Sequence, residues 1–503
     1  MADDDHPRRW WALGVMSVAL LTVALDLTVL HVALPTLAVE LGASTSELQW
    51  FANAYTLVLA AGLLPAGFLG DQLGQKRLFV GSLVVFGVAS IGCAYAGSPE
   101  ALIVARVALG VGAAFMIPLS MSLLTVLFPP HERGRAIAVW TTTTVLGIPL
   151  GPVLGGWLLD HFWWGSVFLI NVPLVVLAVA VLPWLLPPTP GEGGLRIDVT
   201  GVLLSSVGLV ALTYGLTRAG DHGWDAATTT LTAAGAALLA AFAWWLRRAA
   251  HPLFDLGLFR SVGFACGSGL ATVASFAMMG AIFVLPQYFQ VVWGTDAFGT
   301  GLRVMPVVAG LLVGVQAGER LRGRWGAKAV VAAGFVVMTA GLLVGATSST
   351  DVGYGFVAVW ICLVGLGLGL VIPIAMDVAL GAMTPGRTGV GSGLVQALRQ
   401  VGGTLGVAVL GTVLNAGYRA SVDVGGLDDA DAATVRDSAV AGAGLAERAR
   451  LLDEVRGAFV TGLGAMLLAC AVVTALAAVV TLALLPARTD PAEDVPATAG
   501  NTR

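Results

Sequence analysis

Long apolar stretches alternate with short polar or turn-forming segments along almost the whole chain. A helix needs about 20 apolar residues to cross the hydrocarbon core of a bilayer, and stretches of this length recur throughout the sequence. The pattern predicts fourteen transmembrane helices, which begin near Trp11, Leu48, Leu78, Ala101, Ala136, Ser166, Val199, Ala226, Val262, Gly301, Ala327, Gly353, Val390 and Phe459.

One of these apolar stretches contains an unusual density of glycine and proline. The segment reads GIPLGPVLGG, with glycines at Gly147, Gly151, Gly155 and Gly156 and a proline at Pro152. Small residues four apart let two helices meet at backbone contact, while prolines withdraw backbone hydrogen bonds. The spacing predicts a close helix contact, with a hinge at Gly151-Pro152 and Gly155-Gly156.

The composition places the chain in a membrane. Hydrophobic residues make up 57% of the sequence and charged residues 11%, with a mean hydropathy of +0.88. Soluble domains carry about a quarter charged residues. We therefore predict an all-α integral membrane protein that has the lipid bilayer as a partner. The four cysteines lie in predicted spans without metal-type spacing, and the sequence offers no nucleic-acid patch, metal site or cofactor motif.

The lysines and arginines predict the orientation. Short cytoplasmic loops carry an excess of these residues. If the N-terminus is cytoplasmic, almost all basic residues of the short loops fall on that side, including Arg9, Lys76, Arg77, Arg133 and Arg135. An odd number of spans would place the C-terminus outside and would no longer keep the basic residues of the second half on the cytoplasmic side. We therefore predict an even number, with both termini cytoplasmic.

The two halves of the sequence resemble each other. A shift of 255 residues aligns Gly110, Gly112, Ile117, Pro118, Gly147 and Gly151 with Gly365, Gly367, Ile372, Pro373, Gly402 and Gly406. A shift of 252 aligns Gly74 and Lys76 with Gly326 and Lys328. Duplicated bundles are a recurring transporter plan. We predict a six-helix bundle over 1–190, two extra helices within 191–255, and a second six-helix bundle over 256–503.

Four charged residues lie inside predicted spans. Each acid or arginine there costs about 2.5–3.5 kcal/mol on insertion, which makes it a functional candidate. Asp26 and Arg106 are expected in the same half of the membrane and are predicted to pair. Asp377 and Arg399 form the second predicted pair. For Asp26 two interpretations stay open: an ion pair that fixes helix packing, or a proton site.

Aromatic residues and one long loop give weaker signals. Trp50, Tyr55 and Tyr288, with Gln290 beside the last, are candidates for a substrate cleft, where aromatic faces attract organic cations. The alternative is that they form an interfacial belt. The outer loop at 415–455 is rich in acids, and a solvated amphipathic hairpin is the favoured interpretation.

These features together resemble the fourteen-span drug:proton antiporters of the major facilitator superfamily, specifically the quaternary-ammonium and multidrug efflux branch. The resemblance rests on Leu25-Asp26 to Pro35, on Gly67 to Arg77, on Arg106 with Gly110, and on Gly147 to Gly156, which fits the antiporter motif. It implies the major facilitator fold in a bacterial-type cell membrane. It also implies that Asp26 is a site of protonation or of cation recognition, with Arg106 as its modulator. The implied cytoplasmic latch consists of Gly67, Asp71, Gly74, Lys76, Arg77 and Arg135.

The resemblance and the charges predict proton-coupled efflux of amphipathic, cationic organic compounds by alternating access. Protons and a small organic substrate are then the partners, with Asp377 as a second candidate for proton coupling and a monomer as the functional unit. The alternative is a dedicated exporter of a self-made antibiotic or of a metabolite such as an amino acid or siderophore. An enzyme is not expected, because the sequence has no cluster of nucleophile, metal or cofactor residues.

Overall fold

The computed structural model consists of long helices and describes residues 8–43, 45–191, 198–222, 224–249, 252–254, 256–383, 388–424, 432, 435 and 449–485. The helices are α1 (Arg9–Glu40), α2 (Thr45–Leu73), α3 (Gln75–Ala94), α4 (Pro99–Leu127), α5 (Pro130–His161), α6 (Ser166–Leu169), α7 (Asn171–Leu185), α8 (Val199–His222), α9 (Ala226–Leu246), α10 (Val262–Trp293), α11 (Ala297–Ala346), α12 (Tyr354–Gly381), α13 (Thr388–Ser421) and α14 (Ala449–Leu484). No strand occurs within these described ranges. Most of the predicted loop at 415–455 lies outside them.

Among the described residues, twelve helices are long and apolar enough to cross a membrane. A thirteenth span results if the two bent segments of α5 count as one. The predicted count of fourteen is not reached, because the helices expected from Gly301 and Ala327 follow each other without a loop in α11, whose apolar part covers 48 residues and has a kink at Gly326. Each side of the kink holds about 20 residues or more, the length that crosses the hydrocarbon core.

Two glycines with positive φ interrupt the helices in corresponding places. Gly74 separates α2 from α3 with φ 98° and ψ 120°. Gly326 divides α11 with φ 77° and ψ 164°. Glycine adopts such backbone angles because it has no Cβ. These are the two glycines that the 252-residue shift aligns, so the chain makes the same kind of backbone break at both positions.

Replacing Gly326 by alanine should destabilise the protein, because a Cβ is strained at this φ and ψ. The expected cost is about 1–3 kcal/mol. Gly323→Ala is the matched control, since it lies in the helix and a Cβ there meets nothing within 4 Å. Thermal unfolding in detergent measures both variants. Equal melting temperatures for Gly326→Ala and the wild type would show that alanine adopts the backbone angles of this position without strain.

The N-terminal half (α1–α7) and the C-terminal half (α10–α14) pack in parallel ways. In the first, α1 packs on α5, and α2 and α3 pack on α4; in the second, α10 packs on α13, and α11 on α12. The halves meet where α2 contacts α13 and where α5 contacts α11. Helix α8 touches both α2 and α13, and the Ser206 hydroxyl donates to the Ala61 carbonyl at 2.8 Å. The α8–α9 hairpin therefore lies against the seam between the halves.

The end of the protein that carries the start of α5 and of α13 is called here the basic end. Arg9 from the start of α1 pairs with Glu132 from the start of α5 at 3.0 Å. Lys76 and Arg77 lie in the first turn of α3, whose preceding glycine faces the segment after α7. The contacts of α2 with α13 described below are at this end.

Candidate functional site

The first candidate site is a buried ion pair between α1 and α4. Arg106 Nη1 donates to Asp26 Oδ2, and both side chains are only 1% exposed. Arg106 Nε donates to the carbonyl oxygen of Phe51 at 2.8 Å, and its guanidinium lies 4.6 Å from the ring centroid of Tyr55. The predicted pairing of Asp26 with Arg106 is confirmed. Helix α2 adds a backbone acceptor and an aromatic face that position the arginine.

One oxygen of this carboxylate has no hydrogen-bond donor. Asp26 Oδ1 and the Tyr55 hydroxyl are both buried without a partner among the described residues. A buried polar atom without a partner is costly, and a carboxylate in a region of low dielectric is stabilised either by a cation or by a proton. Asp26 therefore has a cation on Oδ2 and an open position for a proton on Oδ1.

The glycines of α5 pack against the segment of α1 that carries Asp26. A Cβ on Gly147 would overlap Ala24, and one on Gly151 would overlap the hydroxyl of Thr28. A Cβ on Gly155 would lie 3.1 Å from Val29 Cγ1. The predicted close helix contact is confirmed, and it involves residues of α1 on either side of Asp26 in the sequence. Gly156 does not share this face, because a Cβ there meets nothing within 4 Å.

The bend in α5 lies one turn before the predicted hinge. The segments Pro130–Gly147 and Pro149–His161 are inclined by 40° to each other, whereas Gly151-Pro152 and Gly155-Gly156 lie inside the second segment. Pro149 lacks an N–H, and its ring excludes the usual hydrogen bond to the fourth residue before it. Thr28 Oγ1 of α1 lies 3.2 Å from the Gly147 carbonyl oxygen at the bend, and it is equally close to the carbonyl oxygens of Ala24 and Leu25 in its own helix, at 3.1 and 3.2 Å.

Asp71 of the predicted latch caps a helix of the other half. Its Oδ1 accepts from the Gly389 amide and its Oδ2 from the Val390 amide, both at 2.9 Å. Gln75 Nε2 donates to Oδ1 at 2.9 Å. A carboxylate at the first amides of a helix satisfies orphan donors and interacts favourably with the helix dipole. Asp71 thus joins α2 to the first turn of α13 at the basic end.

Glycines let α2 and α13 meet at this point. A Cβ on Gly67 would overlap the Gly389 carbonyl oxygen, and one on Gly393 would lie 2.7 Å from the Leu63 carbonyl oxygen. The Ser392 hydroxyl donates to the carbonyl oxygen of Pro118 in α4 at 2.8 Å. The two halves are therefore in direct contact at the basic end.

The basic residues of the predicted latch have other partners. Lys76 Nζ donates to the Leu186 carbonyl at 2.7 Å, and its amide donates to Thr189 Oγ1 at 2.8 Å. Arg135 lies 4.8 Å from the ring centroid of Trp10, and Arg77 is exposed. Gly74 provides the break between the helices. Lys76 thus binds the segment after α7, and Arg135 contacts α1. The amides that Asp71 accepts from belong to α13.

The predicted pairing of Asp377 with Arg399 is wrong. Asp377 Oδ2 instead lies 2.6 Å from Arg322 Nη2, and the two side chains are 7% and 26% exposed. Asp377 is four residues before the end of α12, whereas Arg399 is eleven residues inside α13. Arg399 does reach α12, since its Nη1 lies 3.6 Å from Met376 Sδ, but the next residue, Asp377, points about 100° further around the helix and meets Arg322 of α11. Arg322 is a residue that sequence reasoning missed, although it lies in a degraded copy of the Gly67 to Arg77 motif.

A narrow apolar cavity lies between the halves at the bend of α5. It is lined by Val145 and Pro149 of α5 and by residues of α10, α11 and α12, among them Met278, Ile282, Val307, Trp360 and Leu368. Every lining side chain is hydrophobic, which suits the apolar part of an amphipathic compound.

The predicted cleft residues do not line this cavity. Trp50 stacks on Tyr214 of α8 with 6.1 Å between the centroids, and Tyr55 lies beneath the guanidinium of Arg106. Tyr288 is fully buried, whereas Gln290, two residues later, is exposed. The four side chains therefore do not converge, and the cavity is formed by Trp360 and a set of mostly aliphatic residues that carry no distinguishing signal in the sequence.

Sequence comparison finds relatives that cover nearly the whole chain. The chain is 32% identical to the tetracenomycin C resistance and export protein of Streptomyces glaucescens, over 97% of this chain and 94% of the relative. It is 36% identical to a probable actinorhodin transporter of Streptomyces coelicolor, over 90% and 80%. It is 32% identical to the multidrug efflux pump LfrA of Mycolicibacterium smegmatis, over 95% and 96%.

Solved structures share the fold at low sequence identity. The crystal structure of the human organic anion transporter MFSD10 superposes with a TM-score of 0.62 at 16% identity, covering 93% of this chain and all of that one. The proton:xylose symporter XylE gives 0.61 at 14% identity, covering 95% and 96%. The profile of the Major Facilitator Superfamily matches residues 16–407. The chain therefore belongs to the Major Facilitator Superfamily, a family of membrane transporters with many spanning helices.

Proposed function

We propose that this protein is a proton-coupled exporter of amphipathic organic compounds that works by alternating access, with Asp26 as the proton site. The observation that carries the proposal is the buried Asp26–Arg106 pair, whose aspartate lies on the segment of α1 that packs against the glycines of α5. The relatives support export, since they are named for antibiotic export and multidrug efflux. Cationic compounds are the first expected class of substrate.

The proposed architecture has fourteen spans in the cell membrane, with both termini cytoplasmic. The length of α11 and its break at Gly326 support two spans within that helix. The basic residues at one end support a cytoplasmic assignment of that end. Bundles over 1–190 and 256–503, separated by two helices within 191–255, complete the proposal. The protein acts as a monomeric carrier in the bilayer, without catalysis or a cofactor.

The geometry gives a sequence of events for transport. With the basic end closed, Asp71 holds the start of α13 and Asp26 is paired with Arg106. Protonation of Asp26 removes the charge that Arg106 is paired with, so the contact between α1 and α4 weakens. The glycine face of α5 follows the displaced α1, and the bend at Pro149 lies where α5 borders the cavity. Asp377, the second candidate for proton coupling, is paired with Arg322 within the C-terminal half, so this ion pair can stay closed when the halves separate at the basic end.

The energetics depend on the charge of the substrate. Exchange of one proton for a monovalent cation moves no net charge, so only the pH gradient drives it, at about 1.4 kcal/mol per pH unit. A second proton would add about 2.3 kcal/mol per 100 mV of membrane potential. The proton number therefore decides whether the membrane potential contributes.

A transport assay with the purified full-length chain tests the proposal. Ethidium-loaded proteoliposomes should lose the dye faster when an imposed pH gradient drives protons into the lumen. An exchanger of protons for potassium that collapses the gradient should remove the effect. Efflux that is the same with and without the gradient would contradict proton coupling.

Export of one self-made antibiotic or metabolite is the second candidate. It is favoured by two relatives that are named for single antibiotics and by the narrowness of the cavity. Growth inhibition by a panel of toxic cations, antibiotics, amino acids and siderophores, with and without the gene, separates the candidates. Protection against many unrelated compounds supports multidrug efflux, whereas protection against one supports the dedicated exporter.

Asp71→Asn should loosen the basic end, because asparagine keeps the size but loses the charge at the α13 N-terminus. A carboxylate in this position contributes about 0.3–2 kcal/mol, so opening should rise by about twofold to thirtyfold. Maleimide labelling of Ser392→Cys, with the four native cysteines replaced, measures this opening, since Ser392 is fully buried. Asp351→Asn, on an exposed turn, is the matched control. Unchanged labelling in Asp71→Asn would contradict a latch role.

A further inference from the structure

Arg399 is a membrane-embedded cation without a carboxylate partner. It lies on α13, inside a span that covers Thr388–Ser421. Its Nε donates to Ser275 Oγ and its Nη1 to Gln396 Oε1, both at 3.0 Å, and Nη1 also lies 3.6 Å from Met376 Sδ. No carboxylate of the described residues lies within ion-pair distance. All its partners are neutral, so the charge itself is not compensated.

Gln396 adds a second group without a partner. Its side chain is 5% exposed, its Oε1 accepts from Arg399, and its Nε2 is buried without an acceptor in the described part of the chain. Arg399 Nη2 also donates to no described residue. The cluster formed by Arg399, Gln396 and Ser275 therefore has an excess of donors and one positive charge. An arginine fork with free N–H groups matches the two oxygens of a carboxylate.

The buried ion pair of the N-terminal half has no excess of positive charge. There, Arg106 is compensated by Asp26 and accepted by a backbone carbonyl, so the two buried charges cancel. In the C-terminal half, Asp377 is compensated by Arg322, whereas the half-buried Arg399 meets only neutral groups among the described residues. A cation inside a membrane domain is unfavourable unless something acidic pairs with it.

We propose that Arg399 and Gln396 form a binding subsite for an acidic group, a carboxylate or phenolate, on the exported compound. The position fits this use. Ser275 lies one helical turn before Met278 on α10, and Met278 lines the apolar cavity between the halves. An amphipathic compound can thus place its apolar body in the cavity and its acidic group on the cluster. The proposal rests on the proposed function and extends the expected substrates from cations to compounds with an acidic group.

Binding of two matched dyes tests the subsite. Tetramethylrhodamine carries a free carboxylate, and its methyl ester has the same ring system without that charge. Fluorescence anisotropy with the purified full-length protein should show that the wild type binds the acid at least about tenfold more tightly than the ester. Arg399→Gln should reduce this preference to below about twofold. Arg303→Gln, near the start of α11, is the matched arginine control and should keep the preference for the acid.

A second variant tests the subsite without removing Arg399, so that a loss of packing in Arg399→Gln can be recognised. Gln396→Glu is nearly isosteric and places a carboxylate beside Arg399, so it should occupy the guanidinium and also abolish the preference for the acid. A wild type without preference, or an Arg399→Gln variant that keeps it, overturns the proposal. Equal weakening of both dyes in Arg399→Gln also overturns it, since that indicates a packing role.

Chloride distinguishes a free anion from a group on the substrate. Thermal stability is measured at rising concentrations of potassium chloride for the wild type and for Arg399→Gln. Stabilisation by chloride that Arg399→Gln removes, without a preference for the acidic dye, assigns the cluster to an inorganic anion and overturns the proposal. The proposed function is judged separately, by ethidium efflux against the pH gradient, which involves no acidic dye.

Discussion

Replacing Asp26 by asparagine is expected to abolish proton-coupled efflux while the protein still reaches the membrane. Asparagine has nearly the same shape but cannot exchange a proton, and it cannot neutralise Arg106. Because both side chains of the pair are buried, the variant leaves an uncompensated cation, and breaking such a pair costs about 3–5 kcal/mol. Two effects are therefore expected together, a loss of transport and a loss of stability.

A double variant separates these two effects. In Asp26→Asn/Arg106→Gln both charges are removed, so the melting temperature should recover most of the way to that of the wild type. Efflux in proteoliposomes should stay at the background level, since no proton site remains. Asp351→Asn on an exposed turn serves as the matched control and should transport normally.

The outcomes distinguish the two interpretations of Asp26. If the pair only fixes helix packing, the double variant regains transport together with stability. If Asp26 is the proton site, stability returns without transport. Efflux of Asp26→Asn that still accelerates with an imposed pH gradient would contradict its assignment as the proton site.

Gly151→Val is expected to reduce transport at least about fivefold. A Cβ at this position would overlap the hydroxyl of Thr28 and come within 3.1 Å of the Val29 amide nitrogen, so α5 must move away from α1. Overpacking of this kind costs about 1–3 kcal/mol, and an equal rise in the transport barrier corresponds to about 5- to 150-fold. The displaced segment of α1 carries Asp26, so the proton site is disturbed as well.

Gly156→Val is the matched control for this variant. It lies in the same glycine-rich run, but a Cβ there meets nothing within 4 Å. Initial rates of ethidium efflux, normalised to the amount of folded protein, compare the two. Equal losses in both variants would show that helix propensity, and not the contact with α1, accounts for the effect.

The sequence by itself determined the environment, most of the helices and the family. Apolar length fixes which segments suit the bilayer, because the hydrocarbon core demands about 20 residues of any spanning helix. Charges inside these segments identified Asp26 and Arg106 as a pair, since a buried charge in lipid requires compensation. The glycine spacing in α5 likewise predicted a close contact, because only small residues permit one.

Only the tertiary structure decided which groups meet at the ends of helices. Asp71 accepts from the amides of Gly389 and Val390, which are more than 300 residues away in the chain. Asp377 pairs with Arg322 because it faces α11, whereas its neighbour Met376 contacts Arg399, and the predicted aromatic residues do not line the cavity. Helix periodicity and composition are local properties. The partners of a helix end depend on how non-neighbouring helices pack and how deep each lies, which no local pattern encodes.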